Sequence, residues 1–475
     1  MPCLLSVKKR LFRRLAGLIT VAALLPEQWN KRLVDLNIES LTGEDLAWAD
    51  MVFIGGMAIQ RSSAQQVIAR CRAADKKIVA GGPLFTIEPD AFNEVDHFVL
   101  DEAELTLPVF LADLYRGQPK KIYRAERFCD LGATPAPLWD LVKMKKYASM
   151  NLQFSRGCPF NCEFCNVTTL FGHRPRIKTS QQVIAGLDRL YASGWRSSIF
   201  FVDDNFIGNK EYLKNHLLPA LIEWRQNKKG CVFFTEASIN LADDLELLAL
   251  MVKAGFDSVF IGIESPDEDS LTECHKTQNK NRDLLESVKK IHRAGLQVMG
   301  GFIVGFDSDL PSIFQRQIDF IQRSGIVIAM VGMLQAPPGT RLFDRLQRES
   351  RVADTFSGDN VDGTTNIIPQ MGIETLSRGY QTIMEYIYSP RNYYRRVRTL
   401  LQELKTPAIN QPMSGQRFLS FFRAAIRLGI LGQERFQYWQ LMFWTLIRRP
   451  RLIPVAITLS IYGYHYRKIC ELYIL

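Results

Sequence analysis

The chain has 475 residues, 47% of them hydrophobic and 23% charged, with a formal net charge of +10. That length exceeds one ordinary domain and supplies more than one core, and the lack of a low-complexity tract or fixed-period repeat excludes a disordered or solenoid protein. The positive excess gathers in "KKRLFRR", "PRNYYRRVR" and "IRRPRL" near the ends. No helix-turn-helix or RNA-binding signature accompanies it, so it reads as surface solvation or membrane proximity and not as recognition of nucleic acid.

The opening "KKRLFRRLAGLITVAALLPEQ" mimics a signal peptide but reads better as a helix with a basic start. Strands and helices alternate over residues 28 to 115. "KRLVDLN", "MVFIGG", "KKIVAGGP" and "DHFVLDEAE" are predicted strands, and "SSAQQVIARCRAAD" and "ELTLPVFLADLYRG" are predicted helices. That alternation predicts a doubly wound parallel sheet whose loops "GGMAIQ" and "GGPLFT" lie on the ligand side. "GATPAPLWDLVKMKKYA" reads as a linker. A second series follows, with strands expected at 151–156, 197–203, 231–237, 257–263, 297–304 and 326–333. Six strand–helix units predict a partial (β/α)6 barrel with its site at the carboxyl ends of the strands. The remainder reads as helices rich in aromatic residues and arginine. No apolar run reaches the ~18 residues of a spanning helix. "LIPVAITLSIYGY" is left to lie on a membrane or fill a core.

Of nine cysteines, six are scattered singles, which suits buried small hydrophobes in a reducing, cytoplasmic compartment. The other three, Cys158, Cys162 and Cys165, fall in "SRGCPFNCEFCN" directly after the first barrel strand, in a stretch that Gly157 and Pro159 keep from being helical. Thiolates so spaced suit zinc or an iron–sulfur cluster. A structural zinc site wants four ligands, with His173 the nearest candidate, whereas three leave one corner open.

With Phe164 before the last cysteine and a six-unit barrel behind it, the motif resembles that of the radical S-adenosylmethionine (SAM) enzymes. The resemblance implies that Cys158, Cys162 and Cys165 hold a [4Fe–4S] cluster, that SAM chelates the open iron, and that one electron from a flavodoxin or ferredoxin cleaves SAM to a 5′-deoxyadenosyl radical. It further implies SAM contacts from Phe164, from Asp203, Asp204 and Asn205 in "FFVDDNF", from Glu236 and Ser238 in "FFTEASIN", from Glu264 in "VFIGIES", and from Gly301, Ile303 and Gly305 in "GGFIVGFDSD". Each residue also has a plainer reading as a helix cap or a close-packing glycine. Arg174 and Arg176 read equally as counter-charges to the cluster or as surface positives. His275 beside Cys274 reads as incidental.

The N-terminal pattern is similar to the cobalamin-binding radical-SAM enzymes. "IVAGGPLF", "FVDDNFIGNK" and "LQAPPGTRL" resemble the branch containing hopanoid methylases. The resemblance implies a Rossmann-like cobalamin domain over 1–130, a linker over 131–148, the barrel over 149–345 and a helical domain over 346–475. Cobalamin contacts are expected from Gly56, Gln60, Gly81, Gly82, Pro83, Thr86 and Glu102. Gln60 is expected either below the cobalt or as a helix cap. Two departures stand out: the first strand of this domain is expected to be missing, and Asp101 replaces a customary glycine. The implied activity is cobalamin-dependent C-methylation of an apolar, hopanoid-like lipid, with the enzyme at or near the inner membrane face. The alternatives are radical cyclisation, rearrangement or oxidation without methyl transfer, and a non-catalytic iron–sulfur paralogue.

Overall fold

The computed structural model describes residues 3–7, 16–359, 361–405 and 415–474. Six parallel strands form the first sheet: β1 (Cys3–Val7), β2 (Lys31–Asp35), β3 (Met51–Gly55), β4 (Lys77–Gly81), β5 (His97–Val99) and β6 (Ile122–Tyr123). Their spatial order is β2-β1-β3-β4-β5-β6. β1 is an inner strand, next to the β2 edge, and pairs in register with β2 (Leu5 opposite Leu33) and with β3 (Leu5 opposite Phe53). The strand expected to be missing is therefore supplied by "CLLSV". The direction of the sheet reverses between β1 and β3, and ligands of such sheets bind at that switch point.

The Pro/Gly-rich linker crosses in three short turns, at Leu131–Ala133, Trp139–Leu141 and Met144–Lys146, with Trp139 buried. The second sheet holds β7 (Ser149–Leu152), then, after a two-stranded ribbon of β8 (Ser155–Arg156) and β9 (Arg176–Ile177), β10 (Ser198–Phe201), β11 (Val232–Glu236), β12 (Phe256–Glu264), β13 (Gln297–Val304) and β14 (Ala329–Met333). The order β14-β13-β12-β11-β10-β7 follows the chain, and all pairs are parallel. The sheet stays open, because β7 and β14 are its two edges. Strands 197–203 to 326–333 fall where the sequence predicts them. β7 starts earlier than expected, and the residues just before the cysteines form β8 instead.

Five helices follow the loop after the barrel: Ile373–Tyr388, Pro390–Glu403, Gly415–Gly429, Arg435–Arg448 and Ile453–Tyr473. Leu459, Ser460 and Cys470 of the last are buried, so "LIPVAITLSIYGY" does line a core. No described helix is long and apolar enough to cross a membrane.

His292 sits wholly inside this core on the helix Leu284–Ala294, and neither ring nitrogen has a hydrogen-bond partner. Burial pushes its pKa down to about 3. Above pH ~6.5 the ring is neutral folded or unfolded and contributes nothing. Below it, only the unfolded ring binds a proton, so stability falls by up to about 1.4 kcal/mol per pH unit. His292→Leu is expected to flatten the urea midpoint between pH ~6.5 and ~4.5. Parallel wild-type and variant curves across that window would refute this role for the ring.

Candidate active site

Gly157 sets the path of the cysteine loop. Its φ is +93°, and a Cβ there would lie 2.9 Å from the carbonyl oxygens of both Gly172 and Arg174. Only glycine turns the chain so tightly against three backbone carbonyls. Cys158 N–H then donates to Gly172 O (3.3 Å), and Cys165 N–H to Cys162 O (3.2 Å). The three thiols come together, close enough that Cys162 perturbs both of the others. Burial pushes the Cys165 thiol up to about 12 and raises Cys158, while backbone N–H groups of Val167 and Phe160 favour their thiolates. Thiols so withdrawn from water ionise readily only against a cation, which is how a metal-held thiolate is made. Among the described residues, no three His, Cys, Asp or Glu side chains converge on a single ion. The spacing fits ligands spread over the corners of a cluster, and disfavours a closed zinc site with His173.

Asp204 and Lys276 flank the thiols with opposite charge and act on both Cys158 and Cys165. Lys276 is missed by reading the sequence. It reaches in from the turn after the short helix Glu268–Glu273 that follows β12, pairs with Glu264 Oε1 at 2.6 Å, and lies 5.8 Å from the Phe164 ring centre. Burial alone would depress its ammonium, but Glu264 and Cys162 outweigh burial and hold it above the ordinary lysine range. Glu264 is itself buried and has φ +62°, an uncommon conformation for a residue with a side chain. Gln278, also missed, donates from Nε2 to Cys162 Sγ (3.8 Å), while its buried Oε1 has no partner. An orphaned acceptor beside the thiols points to a ligand-binding wall.

The other barrel residues divide. Asn205 Oδ1 accepts from Ser238 N–H (3.2 Å) and Oγ (3.3 Å), tying the ends of β10 and β11 together, with Glu236 at the end of β11. On β13, a Cβ at Gly301 would meet the Phe260 ring at 2.9 Å, and one at Gly305 would meet Leu376 at 2.9 Å. Ile303 packs with Phe164 against the cluster of Phe306, Leu334 and Cys274. Asp203 does not face the thiols. Fully buried, it accepts from Phe154 N–H (3.2 Å), Ser155 N–H and Ser155 Oγ (2.6 Å), and so locks the chain entering the cysteine loop. Burial pushes its carboxyl up to about 7, against these hydrogen bonds. Cys274 is a buried thiol in an apolar cluster, near enough to Glu264 and Cys162 to feel their charge.

Glu163, between Cys162 and Cys165, anchors the loop from its far side. Its carboxylate pairs with Arg345 (2.9 Å), which also binds Asp307 (2.8 Å). Its N–H donates to Cys274 O (2.9 Å), and its carbonyl accepts from Leu342 N–H (3.1 Å). Arg345 lies on the helix after β14, too far along the chain for any local motif to reveal it.

The other candidates lie in the loops of the first sheet. Gly56 and Gly82 adjoin at the ends of β3 and β4, where a Cβ on Gly82 would lie 3.6 Å from Gly56 O. A Cβ on Gly81 would lie 2.4 Å from Val99 O, so this glycine serves strand packing. Pro83 starts the short helix Pro83–Ile87, and Thr86 Oγ1 accepts from Asp101 N–H (2.9 Å). Gln60 Oε1 accepts from Met57 N–H (2.9 Å), the capping alternative. Asp101 has φ +61°, which explains why glycine suits its position; its carboxylate turns away to Ala125 N–H (3.0 Å). Gly56 also packs against Leu84, and neither loop carries a histidine.

Glu102 turns into the seam between the two sheets instead. Its buried carboxylate accepts from Cys129 N–H (2.7 Å) and pairs with Arg156 and Arg176, each at 2.9 Å. Arg176 is therefore spent on this seam and does not neutralise the thiols. On the other side, Gly358 of the loop after the barrel presses on Ala58 and Ile59. Gln335 pins that loop through Asp359 O (2.9 Å). Contacts on two sides thus join the carboxyl-end loops of the first sheet to those of the barrel.

Family models match the chain twice: the radical SAM superfamily over residues 152–320 and a domain of unknown function (DUF4070) over residues 340–474. An uncharacterised methyltransferase of Synechocystis sp. is 40% identical over 96% of this chain and 86% of its own length. The hopanoid C-2 methylase of Rhodopseudomonas palustris is 36% identical over 91% and 83%. Among solved structures, the cobalamin-dependent SAM radical enzyme OxsB has a TM-score of 0.67 at 15% identity, covering 96% of this chain and 80% of that one. The radical SAM methyltransferase TsrM from Kitasatospora setae has a TM-score of 0.66 at 13% identity, covering 98% and 99%. These two likenesses carry the fold.

Proposed function

The chain belongs to the radical SAM superfamily, in the group that holds its two near-full-length methyltransferase relatives, and we propose that it methylates an unactivated carbon of an apolar, hopanoid-like lipid with the help of cobalamin. The observation that carries this reading is the set of three converging thiols at the carboxyl end of the barrel, tied through Glu102 to a first sheet whose loops are glycine-rich.

When bound, the cluster and SAM supply a 5′-deoxyadenosyl radical, and cobalamin supplies a methyl carrier. The protein's own residues do the positioning. Cys158, Cys162 and Cys165 hold the cluster. Asp204 offers a carboxylate to the methionine ammonium, and Lys276 offers a cation to its carboxylate. Gln278 Oε1 accepts a hydrogen bond from whatever fills the thiol wall. Asn205, Glu236, Ser238 and Glu264 line the ribose side, and Phe164, Gly301, Ile303 and Gly305 the adenine side. Gly56, Gly82, Pro83 and Thr86 border the corrin. Asp203, Glu102 and Gln60 hold the walls in place without touching ligand. A flavodoxin or ferredoxin supplies the electron, and the apolar substrate brings the enzyme to the membrane surface.

The test is anaerobic reconstitution with iron, sulfide and hydroxocobalamin, followed by SAM labelled with a deuterated methyl group and a hopanoid. Iron filling a [4Fe–4S] site, near-stoichiometric cobalt and a deuterium-labelled methylated lipid are expected. Iron without cobalt would overturn cobalamin-dependent methylation and leave the radical rearrangement reading.

A further inference from the structure

We infer that the outer face of the helix Arg435–Arg448, with the turn before it, is a docking surface for an anionic lipid bilayer. The inference rests on the lipid-substrate reading above only for its purpose, and its geometry is independent of it. One side of this helix is core: Tyr438, Leu441, Met442 and Thr445 are buried. The opposite side is also apolar and meets water. Phe436, Phe443, Leu446 and Ile447 are 71%, 59%, 55% and 77% exposed, and Leu431 in the preceding turn is 68% exposed. The spacing i, i+7, i+10, i+11 puts the four helical residues on one stripe. Contiguous apolar exposure of this kind marks an interaction surface.

Charge selects the partner. From Lys405 to Lys468 the sequence carries ten lysines and arginines against one acid, Glu434. That acid is buried and paired with Arg467 at 2.7 Å. Arg435 at one end of the stripe and Arg448 and Arg451 at the other are exposed. Two copies meeting through this face would bring like charges together. An anionic bilayer instead takes the apolar stripe into its acyl boundary and the flanking guanidinium groups at its headgroups. The half-exposed Trp439 on the same side suits that interface. The surface is joined to the carboxyl end of β13 through packed helices, ending at Leu376 of Ile373–Tyr388, which abuts Gly305.

The test sediments the reconstituted full-length protein with vesicles of phosphatidylcholine, alone or with about one-third phosphatidylglycerol. Neither vesicle holds a hopanoid, so binding is read whether or not the methylase reading stands. Wild type is expected to bind the anionic vesicles at least about tenfold more tightly. Arg435→Gln/Arg448→Gln/Arg451→Gln is expected to lose about 100-fold on anionic vesicles. Phe436→Glu/Phe443→Glu/Ile447→Glu is expected to lose binding while cleaving SAM at the wild-type rate, which also reports its folding. Equal binding to both vesicles, or unchanged binding by the arginine variant, would overturn the proposal. So would a concentration-dependent dimer that the Phe/Ile variant abolishes, with no vesicle binding by wild type.

Discussion

Cys162→Ala is expected to leave the reconstituted protein without bound iron and its 5′-deoxyadenosine output below detection. Cys162 is the buried member of the three and the one that perturbs both of its partners. Losing a thiolate ligand removes a bond to the metal itself, a larger loss than the 10–100-fold typical of outer-shell changes. Cys274→Ala is the matched comparison. Its thiol is as buried and feels Cys162, but it packs in the apolar cluster of Phe306, Leu334 and Leu346 and lies outside the cysteine motif. It should keep its iron and its activity and lose about 1 kcal/mol of stability. Iron per chain and SAM cleavage, measured on both variants, decide the matter. A Cys162→Ala protein that retains iron would remove the thiols from the site.

Lys276→Met is expected to have the second largest effect, because it strips a buried carboxylate of its partner. Glu264 is 7% exposed, and its carboxylate accepts a hydrogen bond from the Lys276 ammonium. Breaking such a pair from one side costs about 3–5 kcal/mol. Lys276→Met/Glu264→Gln should recover most of that stability, since a neutral pair leaves no buried charge unpaired. It should not recover SAM cleavage, because the cation beside Cys162 and Cys165 is still gone. Urea unfolding of the two singles and the double, beside 5′-deoxyadenosine formation, separates the two losses. Recovery of both together in the double variant would make Lys276 a purely structural residue.

The sequence makes the two parallel sheets legible because strand and helix periods alternate over long stretches. Five of the barrel strands lie where the pattern puts them. β1 is harder to see: five residues carry too little periodicity, and their partners, Leu33 and Phe53, are remote in the chain. The cysteines are legible because their spacing is itself the chemistry. Asp203 and Glu102 sit at strand ends, where the pattern sends ligand-binding carboxylates, yet both are turned toward protein donors. Sequence position fixes the loop but not the direction in which a side chain leaves it. Lys276, Gln278 and Arg345 show the converse. They reach the cysteine loop from more than 100 residues away, so only tertiary structure brings them there.

Arg345 has a mechanical consequence. The barrel sheet has two free edges, so no ladder of backbone hydrogen bonds joins its first unit to its last. At the carboxyl end, Arg345 spans that gap as a clasp: it grips Glu163 beside the cysteines and Asp307 after β13. Charge-assisted bonds of this kind part and re-form singly, whereas a strand ladder unzips as a unit. The mouth of the half-barrel is therefore fastened by ion pairs, single backbone bonds and the packing of Phe164, with no strand pairing across it.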